Sequence, residues 1–252
     1  MTPSGFIFHL SRCGSTLVSR LLASSPRILS LAEPDALNGL LVSPAETGGV
    51  AEAFRELVLA LGRRRRGSEE AYVVKLSSFM ILCLPLIRRA FPDTPWLFLH
   101  RDPGEVLVSV LDRPTGYLMI KARPELAARW LPLPPAAIAA MSDEEYVARF
   151  LGRMCEAALA AAERPDAGPH LLLDYRQLPA AVWTDVARLF GIALTPGEES
   201  QMAALAAADA KDASGRRPFH GDSADKARRI TPRMREALER WAAEPYRRLT
   251  RG

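Results

Sequence analysis

The chain has 252 residues, 48% hydrophobic and 25% charged, with a formal net charge of +4 at pH 7 and a pI near 9.2, enough apolar material for one sizeable core and read as a single domain over 1–252. The positive excess suits a polyanionic ligand or an acidic acceptor, but it is too small and too dispersed to argue for nucleic acid. No apolar run approaches the roughly 18 residues that span a bilayer, and three cysteines without metal-ligand spacing point to neither a disulfide frame nor a metal site.

In chain order, an apolar strand over residues 5–10 runs into the turn Ser11-Arg12-Cys13-Gly14-Ser15-Thr16 and then into an amphipathic helix over 15–24. Backbone N–H groups of such a turn, with the positive end of the helix dipole behind them, form a phosphate cradle. Strand, glycine turn and helix recur in many α/β proteins, so this loop alone assigns no function. It also departs from the nucleotide triphosphatase pattern, because Ser15 rather than Lys follows Gly14. A thiol at a helix N-terminus is expected to be acidic and accessible, which makes Cys13 a redox candidate. Cys83 and Cys155 fall in apolar helical patterns and read as core.

A helix over 50–62 precedes Arg63-Arg64-Arg65-Arg66, read as a solvated helix end in preference to a polyanion patch. A strand over 72–75 ends at Lys75, and a helix over 78–91 carries Pro85 as a possible kink. A third strand over 96–100 opens into Arg101-Asp102-Pro103-Gly104-Glu105, with Ser109 eight residues beyond Arg101. Both groups suit a phosphate, Pro103 suits a first helical turn and Glu105 its dipole; the other reading of Arg101-Asp102 is a local ion pair. The proline-rich stretch over 113–135 reads as irregular, part of an acceptor lid over 113–142 or a buried packing excursion.

Ser142-Asp143-Glu144-Glu145 opens a long helix to residue 162, whose stripe of Tyr146, Phe150, Met154 and Ala158 reads as core. The strand ending in Asp174-Tyr175-Arg176-Gln177 follows, then a helix over 180–190 stopped by Gly191, another opened by Thr195-Pro196, a basic loop over 209–230, and a last helix over 231–249. Alternating strands and helices predict an α/β fold: a three-layer, P-loop-type, mainly parallel sheet of four or five strands with helices on both faces.

The loop around Gly14, with its cation two residues before the glycine, resembles the 5′-phosphosulfate loop of the sulfotransferase superfamily. The segment from Arg101 to Ser109 resembles that family's 3′-phosphate element, and the strand ending at Tyr175 resembles the one whose tyrosine lies against adenine, with Gln177 where an acid is usual. The passage through Phe190, Gly191, Thr195 and Pro196 is also similar. The resemblance implies 3′-phosphoadenosine 5′-phosphosulfate as donor and adenosine 3′,5′-bisphosphate as product, without a metal. It places Ser11, Arg12, Cys13, Gly14, Ser15, Thr16, Arg101, Ser109 and Tyr175 around the donor, with Arg217 from the basic loop; the family's usual loop tripeptide is absent.

Animal cytosolic members keep a base two residues after the strand-two lysine, where this chain has Ser77. Protein-tyrosine sulfotransferases use a glutamate downstream of the loop, which corresponds to Glu33. The resemblance therefore implies Glu33 as base, with Arg12 on the bridging oxygen and Lys75 near the sulfuryl group. The other readings are an ion pair of Glu33 with a sheet-end arginine and a solvated Lys75. His9, His100, His170 and His220 have no mutual spacing of a metal site or triad and read as structural or surface residues. Four lysines against twenty-nine arginines favour bidentate recognition of phosphate and sulfate oxygens. The acceptor expected is a small molecule or glycan with a hydroxyl or amine. The N-terminus has no signal-peptide pattern, so the location expected is cytoplasmic. A non-enzymatic adenosine bisphosphate-binding module and a P-loop kinase are the alternatives.

Overall fold

A computed structural model describes residues 1–42, 49–114, 116–207 and 223–251. Its centre is a five-stranded sheet in the order β2-β3-β1-β4-β5, built from β1 (Gly5–His9), β2 (Ile28–Ala32), β3 (Ala71–Lys75), β4 (Trp96–His100) and β5 (His170–Asp174). Every pairing is parallel. The predicted α/β architecture is therefore present, and all strands end at the same edge of the sheet.

The central strands are apolar almost throughout because both faces are covered. Phe6, Phe8, Val74 and Phe98 point to one core, while Ile7, Val73, Leu97 and Leu99 alternate into the other. The second core packs against α1 (Ser15–Ala23) through Val18, Leu21 and Leu22. The first core takes α2 (Asp35–Val42), α3 (Val50–Leu61), α4 (Leu84–Ala90) and α5 (Pro103–Asp112).

The stretch over 113–135, read as irregular, instead contains α6 (Gly116–Ile120) and α7 (Pro124–Ala127) and runs into α8 (Pro135–Ala140). Each proline that opens α7 and α8 stands in the first turn, where no backbone N–H is needed. Tyr117, Trp130 and Ile138 from this region are buried in the first core, whereas Met119 is 67% exposed. The expected Tyr146, Phe150, Met154 and Ala158 stripe of α9 (Asp143–Ala162) is wholly buried, and Ser142 caps the helix by accepting from the Glu145 N–H at 3.2 Å.

A π-helical turn at Val182–Val186 leads into α10 (Ala187–Leu189), and Gly191 ends it with φ of 64°. Thr195 and Glu198 form a reciprocal capping box for α11 (Pro196–Ala206). After α12 (Ser223–Arg228), the expected last helix is divided into α13 (Pro232–Trp241) and α14 (Ala243–Leu249). The division lies where the Trp241 backbone presses on Gly152 of α9, a contact that a side chain at residue 152 would obstruct. Likewise the helix expected over 78–91 is a 3₁₀ segment, Ser78–Cys83, followed by α4, with Pro85 at the start of α4 rather than at a kink.

β2 was not among the predicted strands. It is an edge strand interrupted by Ser30, whose hydroxyl lies 3.1 Å from that of Ser19 on α1. That contact satisfies the one polar side chain facing the helix layer. No helix among the described residues is long and apolar enough to cross a membrane.

Candidate functional site

The parallel sheet explains why residues scattered through the sequence meet. Ser11 to Gly14 follow β1, Glu33 follows β2, Lys75 ends β3, Arg101 follows β4 and Tyr175 follows β5, so each lies at the carboxyl edge where open α/β sheets bind ligands.

The turn after β1 is held in an unusual backbone form. Ser11, Arg12 and Gly14 have φ of 72°, 49° and 84°, and left-handed residues in succession turn backbone N–H groups toward one point. A side chain at Gly14 would meet Leu178 at 2.7 Å and the Tyr175 ring at 3.0 Å, so the close approach of β5's end also requires glycine. α1 begins immediately beyond with no side-chain cap and no acid in its first turn. Its first N–H groups and its dipole are therefore available to an anion.

Cys13 corrects the expectation of an accessible, acidic thiol. The side chain is fully buried in the core beneath the loop and Sγ donates to the Leu99 carbonyl at 3.2 Å. Burial pushes its pKa up to about 12, outweighing the opposing backbone N–H groups and the nearby Lys75 and Arg101 charges. A helix N-terminus acidifies only a thiol that faces it. Cys83 and Cys155 are buried, as expected.

Arg101 joins the second element to the loop. Buried to 5% exposure, it donates from Nη1 to the Arg12 carbonyl at 3.3 Å and from Nε to Glu105 at 2.6 Å. Its guanidinium lies 4.3 Å from the centre of the Tyr175 ring, a cation–π distance. The local ion pair is thus with Glu105 rather than Asp102, which instead caps α5 by accepting from Gly104 and Glu105. Arg12 in turn donates from Nη2 to the carbonyl of Arg113 at 2.9 Å, beyond the end of the helix that carries Ser109. The Ser109 hydroxyl is buried and has no hydrogen-bond partner among the described residues. Ser223, at the start of α12, donates to Glu105 at 2.8 Å and accepts from Arg101 at 3.0 Å, so the later part of the stretch read as a basic loop over 209–230 is helical over Ser223–Arg228 and begins at this spot. Arg217 lies outside the described residues.

Tyr175 is brought between Gly14 and Arg101, with one ring face taken by the guanidinium. Gln177, standing where an acid was expected, accepts from the Asp174 N–H at 3.0 Å and closes a capping box.

Across the loop, Lys75 and Glu33 form an ion pair. Lys75 is buried while the Glu33 side chain is 42% exposed, and Ser77 donates to Glu33 Oε2 at 3.3 Å. Glu33 has φ of 52° and donates its N–H to the Lys75 carbonyl at 2.7 Å, which fixes the carboxylate over the end of β3. Partial burial pushes its pKa up, but the Lys75 charge and hydrogen bond, with His9 and Ser77, hold it below the usual carboxylate range. The expected ion pair of Glu33 therefore exists, with Lys75 in place of an arginine.

His9 was read as structural and instead belongs to this group. Its Nδ1 accepts from the Ser11 N–H at 3.0 Å, and Nε2 faces Glu33 Oε1 at 3.7 Å. The signal available in the sequence was its place at the last position of a buried strand, two residues before the anion turn. Thr16 is exposed at the start of α1, and Ser15 is buried beside it. No group of three or more metal-ligating side chains occurs among the described residues.

Neither a family model nor a curated protein matches the chain. Among solved structures, it is similar to a sulfotransferase domain from the curacin biosynthetic pathway, at 13% identity over 79% of this chain and 77% of that one, with a TM-score of 0.53. It is also similar to the sulfotransferase STF9 from Mycobacterium avium, at 14% identity over 81% of this chain and 67% of that one, with a TM-score of 0.51. The likeness at these identities is one of fold: the chain has the α/β fold found in sulfotransferases.

Proposed function

We propose that the chain transfers a sulfuryl group from 3′-phosphoadenosine 5′-phosphosulfate to a hydroxyl or amine of a small-molecule or glycan acceptor, releasing adenosine 3′,5′-bisphosphate. The observation that carries this reading is the junction of two anion-binding elements. Arg101 donates to the Arg12 carbonyl, while the Arg12 guanidinium reaches Arg113 beyond the Ser109 helix.

In this reading the loop backbone and the uncapped start of α1 hold the 5′-phosphosulfate, and Arg101 and Ser109 hold the 3′-phosphate. A buried hydroxyl with no partner among the described residues suits a ligand oxygen. Tyr175 packs its ring against adenine, and Arg217 adds a cation from the basic loop. Ser11, Cys13, Ser15 and Thr16 complete the cradle, Cys13 through its backbone alone.

Lys75 binds Glu33 in the resting arrangement. A sulfuryl group competes for that ammonium, and its capture relieves Glu33 of the charge that depresses its basicity. Glu33 then takes the acceptor proton as the acceptor oxygen or nitrogen attacks sulfur. The bond from sulfur to the bridging oxygen breaks, its electron pair leaves with the bisphosphate, and Arg12 and the loop N–H groups stabilise the developing charge. In this reading the segment over 113–142 is the candidate acceptor lid.

A module that merely binds adenosine bisphosphate would have no use for Glu33. The left-handed backbone there, with ties to Lys75 and Ser77, favours the enzyme, since strain of this kind gathers at working sites. The test is transfer from labelled donor to an acceptor library, with two variants. Arg101→Ala should weaken bisphosphate binding by about 1.5–3 kcal/mol, whereas Glu33→Gln should leave binding intact and depress turnover. Equal binding losses in both would contradict the assignment.

A further inference from the structure

His9 touches both halves of the site. Since its Nδ1 accepts the Ser11 N–H at 3.0 Å, the ring proton resides on Nε2. That Nε2–H is buried and has no hydrogen-bond partner among the described residues, yet it faces Glu33 Oε1 at 3.7 Å. A buried donor without an acceptor is costly; the Glu33 carboxylate that it faces is engaged by Lys75, and the Leu76 backbone lies beside the ring as well. A shift of roughly 0.8 Å would bring Oε1 to an ordinary N–H···O distance.

We infer that His9 is a positioning residue: one ring nitrogen holds the left-handed Ser11 backbone of the anion loop, and the other receives the Glu33 carboxylate when Lys75 turns to an incoming anion. This rests on the reading of Glu33 as base. The ring acts as a neutral donor. Burial pushes the His9 pKa down to about 3, the Lys75 charge adds to this, and Glu33 and the Leu76 backbone oppose it. The groups facing Glu33 are Lys75 and Ser77 from the end of β3 and His9 from β1. A ring that only filled space would be indifferent to which nitrogen is replaced.

Two isosteric variants separate the nitrogens. His9→Asn keeps an acceptor near Ser11 but does not reach Glu33; His9→Gln carries an N–H to the Nε2 position. The readout is carbon-13 titration of the Glu33 carboxyl with saturating adenosine 3′,5′-bisphosphate and inorganic sulfate both present, beside calorimetry with the bisphosphate alone and kcat. His9→Asn should bind bisphosphate within about twofold of the parent, raise the Glu33 midpoint by about half a unit through the lost N–H, and lower kcat about tenfold. His9→Gln should return the midpoint and part of kcat while weakening bisphosphate binding. Equal Glu33 midpoints in the parent and both variants would overturn the role. In the parent protein, nitrogen-15 imidazole spectra should show the Nε2–H tautomer, and that proton should move downfield when bisphosphate and inorganic sulfate are added together; an Nδ1–H tautomer overturns the inference even if neither variant folds. Absence of sulfuryl transfer with the shifted midpoints intact would count against the proposed reaction and support the His9–Glu33 link, whereas transfer with unshifted midpoints would do the reverse.

Discussion

Ser11, Arg12 and Glu33 are the non-glycine residues with positive φ among the described residues, and all three stand at the carboxyl edge of the sheet beside Lys75, His9 or Arg101. Backbone of that kind persists where surrounding contacts over-determine it: Ser11 is held by His9, Arg12 by Arg101, and Glu33 by the Lys75 carbonyl. The Glu33 shift has a definite sign in pH. Its pKa is depressed in the folded chain, so a reaction that uses its ionised form keeps its rate down to below about pH 4.3, the ordinary glutamate value, and loses it as pH falls through the folded pKa. Lys75→Met removes the depressing charge and leaves the opposing burial, so the acid limb of kcat/KM should move to higher pH in that variant. An unmoved limb would mean that Lys75 does not set the basicity of Glu33. Cys13, sealed beneath the loop with its pKa pushed up to about 12, should resist alkylation in the native protein and react on unfolding; mass spectrometry after brief iodoacetamide treatment checks this, and rapid native labelling would contradict the buried placement.

Among the elements, those legible in the sequence are the ones whose stability is local or whose faces are uniformly covered. β1, β3 and β4 read as apolar runs because both sides are buried. The caps at Ser142 and Thr195 read from single residues that satisfy orphan N–H groups. β2 was hidden because Ser30 breaks its apolar pattern and is satisfied by a serine on another element. The short helices α6 to α8 were hidden by prolines that mark loops as often as first turns. The break between α13 and α14 depends on a contact with Gly152, far away in sequence, and has no local signature. Gly152→Ala forces a methyl against the Trp241 carbonyl oxygen, in spite of alanine's better helix propensity. Overpacking should cost about 1–3 kcal/mol, read as a lowered midpoint in urea unfolding; a variant as stable as the parent would show that α9 and the C-terminal helices are not packed this closely.

For the whole molecule, the parallel sheet converts five separate strand ends into one site. The three sequence motifs supplied the loop, Arg101 with Ser109, and Tyr175, and the structure sets Tyr175 close against Gly14, stacks Arg101 on the Tyr175 ring and ties Arg101 to the Arg12 carbonyl. What the motifs left out were groups that act through their neighbours, His9 behind Glu33 and Ser223 beside Arg101, while Glu105, read for the helix dipole, also pairs with Arg101. Such residues carry no pattern of their own, since their meaning comes from which strand ends adjoin. The central claim is that two anion sites hold one adenosine phosphorylated at both the 3′ and 5′ positions. Isothermal calorimetry comparing adenosine 3′,5′-bisphosphate with adenosine 5′-monophosphate, adenosine 3′-monophosphate and Mg²⁺-ATP tests it most directly. The bisphosphate should bind one to one and at least about tenfold more tightly than either monophosphate, the effect of one added charge-assisted contact; a bisphosphate no tighter than a monophosphate, or tighter binding of Mg²⁺-ATP, would contradict it.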